Sequence, residues 1–113
     1  MELLNGKELS STIKHELKEE IKHYMIKPGL AVIQIGNNEA SNIYVKQKET
    51  QALEIGLNYR HFLFEANTSE QEIINKIIEL NNDEYIDGII VQLPLPPRYN
   101  TKRILNQISV NKN

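Results

Sequence analysis

Apolar residues along this chain alternate between a helical spacing and short unbroken runs. Near the N-terminus they recur every four residues, which predicts an amphipathic helix from about Gly6 to Ile26. The apolar positions of this helix are Leu9, Ile13, Leu17, Ile21 and Met25. Lys27-Pro28-Gly29 is expected to end it, because proline cannot continue a helix and glycine allows the chain to turn.

Two strands and a second helix are predicted in the middle of the chain. Leu30–Ile35 is short, rich in β-branched residues and almost entirely apolar, as a central strand of a parallel sheet should be. A helix follows from about Glu39 to Ile55, and Gly56 is its expected C′ residue. Leu57–Phe64 is more polar, so it is predicted as a strand nearer the edge of the sheet.

A third helix is predicted to start at one of two overlapping capping boxes. Either Thr68 pairs with Gln71 or Ser69 pairs with Glu72, and the sequence leaves both open. An apolar stripe follows at Ile73, Ile74, Ile77, Ile78 and Leu80. Asn81-Asn82-Asp83 is expected to break the helix.

The last predicted strand and helix flank a proline-rich segment. Asp87–Leu93 is the most hydrophobic strand, and the prolines after it end it because proline has no N–H to donate to a sheet. A short helix is predicted from about Thr101 to Ile108, with Asn100 as its cap.

This alternation of strands and helices predicts an α/β fold, a three-layer αβα arrangement around a small, mainly parallel sheet. The 113 residues suit a single domain spanning 1–113. The chain stops soon after a helix, at Asn113, and we interpret that as a possible cut within a longer protein.

Composition narrows the function classes. The net charge is −2, so nothing favours nucleic acid or an anionic membrane as a partner. There are no cysteines, which excludes disulfides and thiolate metal sites. His15, His23 and His61 are scattered without the spacing of metal ligands and are interpreted as surface residues, with no metal expected. The first residues do not form a signal peptide, and a cytoplasmic protein is the default expectation.

A serine, a tyrosine and a lysine share one side of the second predicted helix. At about 100° per residue, Ser41, Tyr44 and Lys48 fall within roughly 60° of one another, whereas Lys46 points well away. The stripe continues through the apolar residues Val45, Ala52 and Ile55. It is therefore expected to face the sheet, where Lys48 would be partly desolvated and its pKa lowered, so that it could transfer a proton or polarise a water.

Each of these side chains also has a simpler interpretation. A lone lysine near a helix start is usually solvated, Tyr44 suits a core aromatic with its hydroxyl at the rim, and Ser41 suits a first-turn residue. What favours a ligand site is Gln92, at the end of the third predicted strand, since ligands of open parallel sheets bind beyond the carboxyl ends of the strands. The loop before Ser41 is expected at the same edge.

Together, these segments resemble one family of folate enzymes. They are Pro28-Gly-Leu-Ala-Val-Ile, Ala40-Ser41-x-x-Tyr44-Val-x-x-Lys48, Gly56 and Gly88-Ile-Ile-Val-Gln92-Leu-Pro-Leu-Pro. Their order and spacing are similar, across nearly the whole chain, to the N-terminal half of bifunctional methylenetetrahydrofolate dehydrogenase/methenyltetrahydrofolate cyclohydrolase. The specific part is the pairing of Tyr-x-x-x-Lys with Val-Gln-Leu-Pro-Leu-Pro.

The resemblance implies roles for individual residues. Tyr44 would stack on the folate pterin, and Lys48 would be the central catalytic residue, assisting hydride transfer and activating water for methenyl hydrolysis. Gln92 would hydrogen-bond and tune that lysine. Ser41 would belong to the same substrate-binding network, with Val91 and Leu93 on either side of the glutamine.

The resemblance also implies a fold and partners. The fold would be that of an amino-acid-dehydrogenase-like N-terminal domain. The enzyme would oxidise methylenetetrahydrofolate to methenyltetrahydrofolate with NADP and hydrolyse the product to formyltetrahydrofolate, and full-length members would be homodimers. The chain itself has no glycine-rich dinucleotide fingerprint, so the family's NADP-binding Rossmann domain is absent from it and no redox activity is expected of this segment alone.

Three positions near these segments depart from the family pattern. Val110 stands where the family has proline, and Asn113 where it has the first of two aspartates; the second aspartate, which in the family binds the pterin, has no counterpart here. Thr50 replaces a lysine that is common two residues after the catalytic one.

The absent aspartate and the missing second domain favour the alternative hypothesis, a stand-alone α/β module that binds a small ligand or a protein without catalysis. Tyr44, Lys48 and Gln92 oppose it, because a pure binding module has no evident need for these three residues. A signalling receiver domain is disfavoured, because no acidic cluster follows a predicted strand.

Overall fold

The computed structural model of the protein describes residues 10–24 and 27–113. Its centre is a wholly parallel sheet of three strands, in the order β2-β1-β3. The strands are β1 (Gly29–Ile35), β2 (Asn58–Phe64) and β3 (Gly88–Val91). The helices are α1 (Ser11–Ile21), α2 (Glu39–Ile55), α3 (Glu70–Asn81) and α4 (Thr101–Leu105), followed by a 3₁₀ turn at Val110–Lys112.

Apolar side chains pack on both faces of this sheet. On one face, the core against α1 and α2 contains Ile21, Leu30, Val32, Val45, Ala52, Ile55 and Leu57. On the other, the core against α3 and α4 contains Ala31, Ile33, Ile73, Ile77, Ile89, Val91 and Ile104, among others. Because both faces are covered, β1 is buried along its whole length, which accounts for its apolar run. The predicted three-layer α/β class is confirmed.

The strand predicted to be nearer the edge does lie there. Within the described part of the chain, β2 pairs with β1 alone, in register from Gly29 opposite Asn58 to Ile35 opposite Phe64. None of its residues is fully buried: Phe62 and Phe64 pack partly against the larger core, and Tyr59, on the other face, packs partly against the smaller one.

The first helix is shorter than the predicted span within the described residues. Ser10 caps it by accepting from the Ile13 N–H, and Lys22 is its C-cap, so the helix ends at Ile21 rather than near Ile26. The rest of the predicted span, 6–9 with Leu9 and 25–26 with Met25, lies outside the described residues.

Two helix boundaries follow the expected capping chemistry. Ser69, not Thr68, caps α3, since its hydroxyl accepts from the Glu72 N–H at 3.2 Å. Gly56 ends α2 in the left-handed region, with φ of 93°, as a C-cap glycine does. The span of α2 agrees with the predicted Glu39–Ile55.

The last strand and the last helix are shorter than predicted. β3 covers Gly88–Val91 rather than Asp87–Leu93. Asp87 and Gln92 flank it and still donate their N–H groups to Gly29 and Ile33, and the prolines that follow have no N–H to extend the pairing. α4 ends at Leu105 rather than Ile108. The Asn81 side chain donates to the Gln107 carbonyl and accepts from the Ser109 N–H, and these bonds replace the helical ones.

Candidate functional site

The candidate site lies where the carboxyl end of β3 meets one side of α2. The Lys48 Nζ of α2 donates to Gln92 Oε1, one residue beyond β3, at 3.0 Å. Gln92 is itself fixed twice: its backbone N–H donates to the Ile33 carbonyl at 2.8 Å, and its Nε2 donates to the Leu93 carbonyl at 2.9 Å. The lysine is therefore held by an amide whose orientation is set by the neighbouring backbone.

The start of α2 places the serine, tyrosine and lysine on one side. Gly36 turns the chain at φ of 85°, and Asn38 caps the helix by accepting from the Ser41 N–H at 3.0 Å. Val45, Ala52 and Ile55 of the stripe are buried in the core, as its spacing predicts. Lys46 is exposed on another side of α2.

Burial sets the proton affinity of Lys48. The side chain is partly buried, and this desolvation lowers its pKa below the usual lysine value. The group that accepts its hydrogen bond is a neutral amide, which does not restore the pKa as a carboxylate would. Its neutral form is therefore easier to reach than that of a solvated lysine.

Two exposed side chains lie near the Lys48–Gln92 contact, Tyr44 in space and Leu93 in sequence. The Tyr44 side chain is 50% exposed, and Lys48 Nζ lies 5.9 Å from the centre of its ring. Leu93, the residue after Gln92, is 44% exposed. A flat ring could stack on the exposed Tyr44 ring, with the ammonium near its edge.

Ser41 and Val91 are both buried, with different consequences. Ser41 is 3% exposed, and its Oγ has no hydrogen-bond partner among the described residues. An unpaired buried hydroxyl costs about 1–3 kcal/mol, so a ligand atom that bonds it would recover that energy. The Val91 side chain packs into the core with α3 and α4, so only its backbone can face a ligand.

The segment after Gln92 is anchored to the neighbouring loops. The Leu93–Pro94 peptide is cis. Further along, the buried Tyr99 hydroxyl lies 2.9 Å from the Ala66 carbonyl and 2.6 Å from the Thr68 carbonyl. These contacts hold the proline-rich segment against the loop between β2 and α3.

A polar network beside the site is absent from the sequence-based predictions. His61 is exposed like His15 and His23, but its Nε2 lies 3.0 Å from Oε1 of the buried Gln34. The signal that could have revealed it is a glutamine within an otherwise apolar strand. The described residues gather no group of three potential metal ligands, and no helix among them is long and apolar enough to cross a membrane.

The chain's residues do not fit the nucleotide cofactor that the resemblance implies. Dinucleotide phosphates are bound by a glycine-rich turn between a strand and a helix. The turn between β1 and α2 has a single glycine, Gly36, followed by Asn37 and Asn38. NADP binding therefore has no support in these residues.

Comparisons with known proteins agree with this geometry. The family model for the catalytic domain of tetrahydrofolate dehydrogenase/cyclohydrolase matches residues 4–113. Bifunctional protein FolD of Dichelobacter nodosus is 44% identical over 115 residues, which cover 98% of this chain and 40% of that protein. FolD of Acetivibrio thermocellus is also 44% identical, over 97% of this chain and 40% of that protein.

Solved structures give the same result. Campylobacter jejuni FolD, a methylenetetrahydrofolate dehydrogenase/cyclohydrolase, superposes with a TM-score of 0.89 at 40% identity, over 97% of this chain and 40% of that one. The Trypanosoma brucei enzyme, complexed with NADP cofactor and inhibitor, gives 0.86 at 31% identity, over 90% and 36%. The chain thus spans about 40% of the length of the curated relatives it matches. Because the family model covers almost every residue, the chain belongs to the tetrahydrofolate dehydrogenase/cyclohydrolase family and carries its catalytic domain.

Proposed function

We propose that this chain is the folate-binding catalytic domain of an enzyme that oxidises methylenetetrahydrofolate to methenyltetrahydrofolate with NADP and hydrolyses the product to formyltetrahydrofolate. The observation that carries the proposal is the hydrogen bond between the partly buried Lys48 and Gln92, beside the exposed Tyr44 ring. A lysine in this setting suits proton transfer near neutral pH better than a solvated one.

In this proposal Tyr44 and Leu93 bind the folate ring system. Tyr44 stacks on the flat pterin, and the stacking orients the one-carbon unit toward Lys48 Nζ. The unpaired Ser41 hydroxyl donates to a polar atom of the same ligand and so recovers its hydrogen bond.

Lys48 handles the proton in the hydrolytic step. A water oxygen forms a bond to the electrophilic methenyl carbon, and neutral Lys48 accepts the proton that the water loses. The carbon–nitrogen bond then breaks, its electron pair stays on nitrogen, and that nitrogen takes the proton from Lys48. The hydroxyl on the same carbon becomes the formyl carbonyl, and its proton passes to solvent. Gln92 keeps the amine aimed at the carbon throughout, because its Oε1 accepts one of the N–H groups of Lys48.

The oxidative step needs residues beyond those described here. NADP accepts the hydride in that reaction, and its place in the proposal is supported by the Trypanosoma brucei relative, which is complexed with NADP. What this chain contributes is the binding and orientation of the folate beside Lys48. We place the whole enzyme in the cytoplasm as a homodimer, supplying one-carbon units for purine biosynthesis, on the basis of the family resemblance.

Binding of tetrahydrofolate to the 113-residue chain, measured by isothermal titration calorimetry, tests the folate site. We expect Tyr44→Ala to weaken binding by about two- to tenfold, because stacking with an aromatic ring is worth roughly 0.5–1.5 kcal/mol. Tyr85→Ala is the matched control, since Tyr85 is also exposed and lies outside the site. Equal affinity for the Tyr44 and Tyr85 variants would contradict the assigned site, and an absence of tetrahydrofolate binding would favour a module for another ligand.

A further inference from the structure

One polar side chain lies inside the apolar central strand. Gln34 occupies the sixth position of β1 and is only 2% exposed. A buried amide costs free energy unless its donors and acceptor are paired, so its partners indicate why the residue is there.

Gln34 connects two other elements through its amide. Its Oε1 accepts from the His61 Nε2 of β2 at 3.0 Å, and its Nε2 donates to the Asn42 Oδ1 of α2 at 2.5 Å. Asn42 in turn donates through Nδ2 to Asn37 Oδ1 at 2.9 Å, in the loop before the helix. We call these four side chains, His61, Gln34, Asn42 and Asn37, the amide chain.

In the first turn of α2, Ser41 is buried, but its Oγ has no hydrogen-bond partner among the described residues. Glu39, Ala40, Asn42 and Ile43 are all exposed, and the apolar packing of α2 on the sheet begins only at Val45. The Asn38 cap closes the helix end but does not join it to the sheet. Among residues 10–24 and 27–113, the amide chain is the side-chain hydrogen-bond connection from this turn to the central strand.

We infer that Gln34 is a positioning residue that holds the first turn of α2, and with it Ser41 and Tyr44, in place for a ligand. This role rests on the proposed function, because Ser41 and Tyr44 are its folate-binding residues. Lys48 lies a turn further along and is fixed by Gln92 instead. Loss of the amide chain should therefore weaken substrate binding and leave the proton-transfer step intact.

Gln34→Leu in the full-length product of the gene is the direct test. Asn42 and His61 are exposed and can bond water, and an apolar residue suits a buried strand, so the melting temperature is expected to stay the same or rise. We expect KM for methenyltetrahydrofolate to rise about fivefold while kcat stays within about twofold, the pattern of lost ground-state binding. A merely structural role would instead lower the melting temperature and would not raise KM at an unchanged kcat.

Two variants of Asn42 test the same connection from the surface, where folding is not at risk. Asn42→Ala should reproduce the rise in KM. Combined with Gln34→Leu it should raise KM little further, because both changes remove the same hydrogen bond between Gln34 and Asn42. Asn42→Asp keeps the oxygen that accepts from Gln34 and should restore most of the affinity. Gln47→Leu, an exposed glutamine of the same helix, is the matched control and should change neither constant.

Amide hydrogen exchange measures, without any substrate, how firmly the first turn of α2 is held. In Gln34→Leu, exchange should accelerate for residues 38–44 and stay unchanged for 52–55. Unchanged exchange at 38–44, or faster exchange throughout the chain, would overturn the positioning role. An inactive wild-type enzyme with the local exchange change would instead reject the proposed function and keep the role of Gln34 in fixing this turn.

Discussion

At the residue scale, the sequence predicts which side of α2 carries Lys48 but not the hydrogen bond that Lys48 makes with Gln92. Helical spacing alone separates Lys48 from Lys46, since only Lys48 shares a side with the buried residues of α2. Spacing does not reveal the 3.0 Å contact with Gln92, because the two residues are 44 positions apart and meet only through the order of the strands. Nor does it reveal the unpaired hydroxyl of Ser41, which depends on the packing around it.

Replacing the neutral amide by a carboxylate should change the pH dependence of hydrolysis. Burial lowers the pKa of Lys48, so the rate governed by its neutral form should rise with pH and level off below the usual lysine value. In Gln92→Glu, a negative charge beside the ammonium favours the protonated form, so this rise should move to higher pH. The measurement is the rate of methenyl hydrolysis against pH in the full-length product of the gene.

Gln47→Glu provides the control for this change. It adds the same charge on an exposed part of α2, where solvent screens it, and should leave the pH profile in place. A Gln92→Glu profile that coincides with that of the wild type would show that Lys48 does not titrate in the reaction.

At the scale of the elements, the sequence predicted those helix boundaries that depend on residues within or next to the helix. The span of α2 and its Gly56 end agree with the sequence pattern, since both depend on apolar spacing and one glycine. The predicted end of α4 was wrong, because Asn81, more than 20 residues earlier in the chain, binds the Gln107 carbonyl and the Ser109 N–H. The choice of Ser69 over Thr68 likewise needed the three-dimensional path of the chain.

Gly56 offers a test of the end of α2. Its φ of 93° strains any residue with a Cβ, so Gly56→Ala should lower the free energy of unfolding by about 1–2 kcal/mol. Gly56→Asn should cost less, because asparagine tolerates the left-handed region better than alanine. Urea unfolding of the three proteins measures both differences. Equal stability of the alanine variant and the wild type would show that the chain does not adopt this turn.

At the scale of the whole molecule, the sheet separates two cores, and the site lies at the edge where its strands end. The sequence predicted the layers, because each helix has one apolar side and β1 is apolar throughout. Strand order was not predictable in the same way, since three short strands of similar character allow more than one arrangement. That order brings the end of β3 next to α2 and so completes the candidate site.

The larger core should be sensitive to small losses of volume. Ile77 is fully buried on α3, and Ile77→Ala should lower the free energy of unfolding by about 2–5 kcal/mol. Ile78 is the next residue of the same helix and is 44% exposed, so Ile78→Ala should cost less than about 1 kcal/mol. Chemical denaturation compares the pair directly, and equal losses would contradict the placement of α3 on the sheet.

The central claim is that Lys48 carries out the proton transfer of a folate enzyme. The most direct measurement is the rate of methenyltetrahydrofolate hydrolysis by the full-length product of the gene, for the wild type, Lys48→Met and Lys46→Met. We predict that Lys48→Met abolishes hydrolysis while the protein stays folded by circular dichroism, and that Lys46→Met, an exposed lysine on another side of α2, retains it. Hydrolysis by Lys48→Met at the wild-type rate would contradict the claim.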